Sequence, residues 1–331
     1  MPDAEFLLGA ALLIALTMYA VFGGADFGGG VWDLLASGSR AARQRATIAH
    51  ALAPVWETNH VWLVIAVVIL FTGFPLGFGA IATALNVPLT LALVGIVLRG
   101  ASFVFRAYGD PSRSTQRFWG RVFAIASLLT PLLLGIVIGA LTEGRIRLVE
   151  GRVTTGFIGP WLTMFAVLVG IFTVALFAFL AAVYLTLEAD AADLAGDFRR
   201  RALAAASAAG ILALVVFLAS GAPVRAALTR SAWALPLHMA TGACAVLTFA
   251  LLYTRRYQWA RWTASAQVCL ILWGWALAQF PYLVRPDVTI YSAAAPASTV
   301  RLLLILLATG AVVLVPSLIY LYSLFGPHGE K

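Results

Sequence analysis

Long apolar stretches alternate with short polar segments along the whole of the chain. A membrane-spanning helix needs about 20 mostly apolar residues. Stretches of that size lie near residues 6–36, 48–72, 78–106, 118–141, 161–187, 202–220, 232–254, 262–283 and 302–325. The pattern predicts nine spanning helices, the first and third long enough to be tilted or kinked. Because every connecting loop is short, we expect the function to lie within the membrane or at contacts with partner chains.

Composition and charge agree with this pattern. Hydrophobic residues make up 62% of the 331 residues and charged residues 11%, against about 25% charged in an ordinary soluble domain. A soluble enzyme, a disordered regulator and a single-anchor receptor are excluded. The net charge of +8 reflects basic loops that set membrane topology, so no nucleic-acid partner is expected. Cys244 and Cys269 lie in apolar runs without a metal or haem-attachment motif, and we expect no metal site.

Most Lys and Arg residues lie in the connections after spans one, three, five and seven and at the C-terminus. The positive-inside bias places that side in the cytoplasm, which puts the N-terminus outside and the C-terminus inside. The first span lacks a basic segment before it, so we expect it to be retained. The most polar connection, 188–201, is interpreted as a solvated loop, with a hinge between two helix bundles as the alternative.

Three acidic residues lie within the apolar stretches: Asp26, Asp33 and Glu57. A charge at the centre of a spanning helix costs about 2.5–3.5 kcal/mol on insertion scales, so such groups face protein or water and usually serve a function. At 1.5 Å per residue, Asp26, Glu57 and Arg99 come to similar depths in spans one to three. The sequence predicts that they form a buried ion pair or a shared-proton cluster. A carboxyl that only fixes helix packing is the alternative.

Span two carries a regular series of ionisable groups. His50, Glu57 and His60 are seven and three residues apart, which places them on one face of a continuous helix. We interpret this series as a proton ladder, with packing histidines as the alternative. Trp56 lies beside its polar centre as a candidate wall for a quinone or haem edge, although helix packing is the commoner use of such a ring.

Glycines mark the polar part of span one. Gly24 and Gly28 form a small-xxx-small pair, which allows another helix to approach the backbone closely. The surrounding glycine-rich run is not a dinucleotide-binding loop, because it lies within an apolar helix and follows no strand.

Five short segments resemble subunit II of the cytochrome bd type quinol oxidases. They are 24–30 (GADFGGG), 54–63 (PVWETNHVWL), 98–106 (LRGASFVFR), 273–281 (WGWALAQFP) and 293–296 (AAAP). They occur in the family's order. The family commonly has an aspartate and a glutamate where Glu57 and His60 stand here, and often an acid where Val104 stands. These departures resemble a divergent branch, such as the cyanide-insensitive type.

The resemblance implies a single membrane domain of two four-helix bundles, at 1–145 and 155–284, and a ninth helix at 300–326. It also implies a bacterial cytoplasmic membrane and a homologous subunit I that holds haems b and d and oxidises quinol. Small single-span accessory subunits occur in such complexes. In this chain the resemblance implies no haem, a proton pathway through Asp26 and Glu57, and in some members a structural quinone or lipid, for which Trp56 and Arg99 are the candidate contacts.

The expected function is therefore that of an oxidase subunit that stabilises subunit I and delivers cytoplasmic protons for the reduction of oxygen to water. His60 and His50 extend the candidate pathway. Two alternatives stay open. A proton-coupled secondary transporter would use the glycine-broken first span and the buried carboxylates as its coupling site, and a purely structural membrane subunit would have no proton path.

Overall fold

The apolar stretches form α-helices in the computed structural model, which describes residues 3–52, 56–109 and 112–325. The helices are α1 (Ala4–Met18), α2 (Gly24–Leu34), α3 (Ala41–Leu52), α4 (Trp56–Gly73), α5 (Pro75–Ala84), α6 (Asn86–Tyr108), α7 (Arg113–Glu143), α8 (Met164–Glu188), α9 (Ala192–Ala219), α10 (Ala222–Arg230), α11 (Ala234–Tyr253), α12 (Tyr257–Gln279) and α13 (Ala297–Phe325). A π-helical segment, Tyr19–Gly23, joins α1 to α2. The side chains of residues 56, 57, 107, 113 and 322–325 lie outside the description. The fold confirms the all-α membrane class.

Seven helical segments of the described chain are long and apolar enough to cross a membrane. They are Ala4–Leu34, Asn86–Arg106, Ser114–Glu143, Met164–Glu188, Ala192–Ala219, Ala234–Tyr253 and Ala297–Leu321. The pair α4 and α5 bends by 115° at its break and would make an eighth as one broken span. Helix α12 overlaps the predicted span at 262–283 but is not among the seven. The count of nine stays a prediction.

One of the predicted spans is interrupted, and another is described only in part. Within the stretch 48–72 the described chain includes α3 up to Leu52 and α4 from Trp56, and residues 53–55 lie outside the description. The stretch 78–106 divides between α5 and α6 at Leu85. A hydropathy pattern records how apolar a segment is, but it does not show where the chain turns within it.

Helix α2 packs closely against α8 through the Gly24 and Gly28 pair. A Cβ atom on Gly28 would lie 1.9 Å from the carbonyl oxygen of Phe177, and one on Gly24 would lie 2.6 Å from the Phe177 ring. The indole N–H of Trp32 donates to the carbonyl oxygen of Ala178 at 2.7 Å. The close approach that the glycine spacing predicts is therefore confirmed.

The buried hydrophobic residues form two clusters, one towards each end of the helices. The first includes Phe27, Phe123 and Phe177, from α2, α7 and α8. The second includes Leu8 from α1 and Val284 from the second hairpin described below. Each cluster takes residues from both of the predicted bundles, 1–145 and 155–284. The division into two bundles stays a prediction.

The buried carboxylate of Asp197, on α9, binds the loop after α2 through hydrogen bonds. Asp197 is 7% exposed and accepts hydrogen bonds at 2.7 Å from both Arg40 and Arg200 and at 2.9 Å from Gln44. The solvated-loop interpretation of 188–201 is wrong for this residue, because helix α9 already begins at Ala192. Three donors offset the cost of burying its charge. We call this end of the helices, where Leu34, Tyr108 and Glu188 lie, the basic end.

Two small antiparallel hairpins lie at the opposite end. They pair β1 (Leu148–Val149) with β2 (Arg152–Val153) and β3 (Tyr282–Val284) with β4 (Val288–Thr289). Asp287 joins them by accepting hydrogen bonds from the Leu148 amide at 2.8 Å and from Arg147 at 2.9 Å. Burial alone would raise the pKa of Asp287, but these two donors hold that pKa below its usual value.

The packing of α2 on α8 leads to a prediction about stability. Gly28→Ala puts a Cβ atom against the α8 backbone, which cannot move aside as a flexible side chain would. Overpacking of this kind costs about 1–3 kcal/mol, so we expect a lower midpoint of thermal unfolding in detergent. Gly242→Ala is the matched control, since nothing lies within 4 Å of a Cβ atom at that helical position. Equal midpoints for the two variants would contradict the packing role.

Candidate functional site

Asp26 lies in the first turn of α2, directly after the π-helical segment. Its side chain is buried, with 4% of the residue exposed. The amide nitrogen of Asn59, on α4, donates a hydrogen bond to Asp26 Oδ2 at 2.5 Å. Asn59 is itself only 2% exposed. The pair therefore joins α2 to α4 through a bond in which a carboxylate is the acceptor, the stronger class of protein hydrogen bond.

Arg99 brings a positive charge into the same region from α6. It is 2% exposed, and its guanidinium carbon lies 5.0 Å from the centroid of the Phe27 ring and 5.3 Å from that of Phe123. Cation–π attraction of this kind strengthens where water is excluded. The charges of Arg99 and Asp26 interact, although no ion pair within 4.0 Å joins these two described residues. The structure thus brings Asp26 and Arg99 to one buried polar centre, as their similar depths along the predicted spans indicate.

His60 borders this centre on α4. Its ring centroid lies 5.9 Å from that of Tyr19 and 6.2 Å from that of Phe27. The Nδ1 atom is buried and has no hydrogen-bond partner among the described residues. His60 is therefore placed within reach of the Asp26 region, and its role in a proton pathway stays a prediction.

The other predicted site residues lie apart or outside the description. His50 is exposed near the end of α3 and is close enough to Glu188 for their charges to interact. Residues 53–55, between His50 and His60, lie outside the described residues, so the common helical face of these two histidines stays a prediction. The side chains of Glu57 and Trp56 lie outside the described residues, so their predicted roles stay predictions.

A second carboxylate lies nearer the basic end of α2. Asp33 is 5% exposed, and its Oδ2 atom lies 3.7 Å from the guanidinium of Arg106. The guanidinium carbon of Arg106 also lies 5.3 Å from the centroid of the Phe123 ring, so this ring contacts both Arg106 and Arg99. Arg45 donates to the carbonyl oxygens of Asp33 and Ala36 at 3.3 and 3.0 Å. Asp33 thus lies beside two arginine side chains, Arg45 and Arg106.

Asp33 also lines a cleft of about 200 Å³ between α2, α3, α6 and α7. The cleft is lined by Asp33, Ile48, Ala49, Leu52, Phe103, Arg106, Gln116 and Phe123. Three of these lining residues, Asp33, Arg106 and Gln116, are polar, and the other five are apolar.

Sequence reasoning missed Asn59 and the pairing of Asp33 with Arg106. A search limited to charged residues does not find an asparagine, which is uncharged. A side-chain amide buried at membrane depth nevertheless needs a hydrogen-bond partner, as a buried charge does. Asn59 follows Glu57 by two residues, so its position in the polar part of α4 was the available signal. No sequence spacing indicates that Arg106 meets Asp33, because that contact depends on how α2 and α6 pack.

The fold and this site define a multi-span, all-α membrane protein with a buried polar centre around a carboxylate. The family model for cytochrome bd terminal oxidase subunit II matches residues 4–325. The chain belongs to that family, which confirms the resemblance that its five segments indicate.

Relatives and a solved structure agree with this assignment. The chain is 27% identical over 219 residues to cytochrome bd-I ubiquinol oxidase subunit 2 of Escherichia coli K12, covering 65% of this chain and 55% of that one. It is 26% identical over 142 residues to cytochrome bd ubiquinol oxidase subunit 2 of Bacillus subtilis, covering 43% and 40%. The chain thus spans about half the length of the curated relatives it matches, or less. A chain of the bd oxidase from Geobacillus thermodenitrificans superposes with a TM-score of 0.81 at 25% identity, covering 98% of this chain and 99% of that one.

The hydrogen bond between Asn59 and Asp26 can be tested with a double-mutant cycle. Asn59→Leu leaves a buried carboxylate without its donor, which should lower the free energy of unfolding by about 1.5–3 kcal/mol. In an Asp26→Leu background the same change should cost much less, because neither partner is then left unpaired. Denaturation of the purified protein in detergent measures both. An equal cost in the two backgrounds would show that the two side chains are not coupled.

Proposed function

We propose that this chain is subunit II of a membrane terminal oxidase that oxidises quinol and reduces oxygen to water. In this proposal a homologous subunit I binds haems b and d, and the present chain stabilises that subunit and delivers cytoplasmic protons to it. Membership of the family and the match to a bd oxidase chain over nearly the whole length support the assignment. The relatives are described as ubiquinol oxidase subunits.

The observation that carries the proton role is the fully enclosed Asp26 carboxyl. A buried carboxylate at membrane depth is costly unless it serves a function or is fully paired. Here the ionised form is stabilised by the Asn59 donor and the nearby Arg99 charge, whereas exclusion from water favours the neutral form. Opposing influences of this kind suit a group that takes up and releases a proton.

The family resemblance assigns the haems, which supply the redox chemistry, to subunit I. In this chain His50, His60 and His238 lie in α3, α4 and α11. His238 Nδ1 lies 2.6 Å from the carbonyl oxygen of Ala234 within its own helix. We propose that none of these three histidines ligates a haem.

Arg99 is one of the two candidate contacts of a structural quinone. Arg99 is packed between two phenylalanine rings of its own chain, which leaves little of its guanidinium face for a ligand ring. We therefore propose that Arg99 acts mainly on the charge of Asp26. The quinone contact, the accessory subunits and the orientation of the termini stay predictions.

The rival functions differ in what they require of Asp26. A secondary transporter would move solute without a haem-bearing partner, and a structural subunit would tolerate loss of the carboxyl. Copurification of a haem-containing subunit with quinol-dependent oxygen uptake distinguishes the oxidase from the transporter. Replacement of Asp26 distinguishes proton delivery from a structural role.

The test uses Asp26→Asn in the assembled complex. The amide preserves size but cannot carry a proton between donor and acceptor, so we expect oxygen reduction to slow at least tenfold while the haem absorption spectrum is unchanged. Asp193→Asn is the matched control, because Asp193 is exposed and pairs with Arg43 at the surface. Wild-type turnover in Asp26→Asn at every pH tested would rule out the proposed proton role. Glu57→Gln examines the second predicted carboxyl in the same way.

A further inference from the structure

Buried polar atoms without a protein partner are concentrated around α2. Ser127 Oγ and Thr130 Oγ1 on α7, Arg99 Nε on α6 and Asp33 Oδ1 on α2 have no hydrogen-bond partner among the described residues. Buried polar groups in folded proteins are almost always satisfied, by ordered water where protein atoms do not serve. This concentration therefore points to internal hydration between α2, α6 and α7.

Ser127, like Thr130, differs from the other buried hydroxyl groups of these helices. A serine or threonine within a helix commonly donates to the carbonyl oxygen four residues earlier. Ser102 and Thr142 do so here, at 2.6 and 2.7 Å. Ser127 is 0% exposed, yet its hydroxyl makes no such bond within the described chain. It is therefore available to bond something other than its own helix.

The position of Ser127 lies between the two carboxylates of α2. Asp26, Gly30 and Asp33 are spaced by four and three residues, so they share one face of that helix. A Cβ atom on Gly30 would lie 2.2 Å from Ser127 Cβ and Oγ, which shows that the serine packs directly on the Gly30 backbone. The hydroxyl thus lies on the α2 face that carries both acids.

The spacing along α2 fits single bridging water molecules. At 1.5 Å per residue, Gly30 lies about 6 Å along the axis from Asp26 and about 4.5 Å from Asp33. A water molecule that bonds two groups at about 2.8 Å each spans up to about 5.6 Å. One water on each side of Ser127, with side-chain reach added, would therefore connect the hydroxyl to both carboxylates.

The Asp33 end of this path opens into the cleft at the basic end. That cleft has a volume of about 200 Å³, which is room for several water molecules at about 30 Å³ each. Arg106 and Arg45 lie around Asp33, and Arg99 acts on Asp26. The path thus contains two carboxylates, those of Asp26 and Asp33, and arginine side chains lie around both of them.

We propose that ordered water molecules between α2 and α7 connect Asp33 to Asp26 through the Ser127 hydroxyl. Asp33 is then the point of proton uptake and Ser127 the relay. In each step one proton moves along an existing hydrogen bond: the serine oxygen accepts a proton from one water and releases its own to the next, and no electron is transferred. This inference rests on the proposed role of Asp26 and adds the route by which protons reach it.

The test follows hydrogen exchange at Asp26 in the intact complex. Infrared spectroscopy detects the carbonyl band of the protonated Asp26 carboxyl, which Asp26→Asn identifies by removing it. After transfer into D₂O at a pH low enough to protonate Asp26, the shift of this band reports how fast water-borne protons reach the site. We expect Ser127→Ala and Asp33→Asn each to slow the exchange at least tenfold. Ser102→Ala is the matched control, since that hydroxyl is buried but bonds its own helix.

Two measurements separate the outcomes. Unchanged exchange in both Ser127→Ala and Asp33→Asn, with an intact haem spectrum, would overturn the route. If Asp26→Asn slows oxygen reduction while those two variants exchange and turn over normally, the route fails but the proposed function stands. If Asp26→Asn reduces oxygen at the wild-type rate, the proposed proton role of Asp26 fails. Because the two route variants lie on different helices, a folding defect in one leaves the other to decide.

Discussion

The close contact of α2 with its neighbours is the constraint on which the rest of the site depends. Gly28 allows the α2 backbone to reach the carbonyl of Phe177 on α8, and Gly30 allows Ser127 of α7 to lie on the same helix. A larger side chain at either position would push α2 outward. That displacement would move Asp26 away from Asn59 and Phe27 away from Arg99. The geometry of the polar centre therefore depends on the packing of the helix backbones as well as on the charges of its own residues.

This arrangement lets a membrane protein keep charge in its interior without a tight salt bridge. Asp26 bonds a neutral amide, while Arg99 is held by two aromatic rings and acts on the carboxyl from a greater distance. Asp33, nearer the basic end, has a closer cation, because its Oδ2 atom lies 3.7 Å from the Arg106 guanidinium. The proposed proton exchange at Asp26 would use this arrangement. The hydrogen bonds of Asp197 hold the loop at the basic end in place.

The sequence predicted the helical membrane class, the shared depth of Asp26 and Arg99 and the close approach at Gly24 and Gly28. These follow from hydropathy, helical rise and residue size, which are local properties. It did not predict Asn59 or Ser127, because an uncharged polar residue becomes informative only when its neighbours in space are known. The single helical face for His50 and His60 stays a prediction, since residues 53–55 between them lie outside the described chain.

The central claim is that protons reach Asp26 from the basic end of the helices. The most direct measurement is the rate of oxygen reduction by the complex in vesicles of one orientation, with the pH set independently on each side. We expect the rate to follow the pH of the compartment that contacts the loop 35–40, and to lose this dependence in Asp26→Asn. A rate that follows only the pH on the side of the two hairpins, with Asp26→Asn unchanged, would contradict the account.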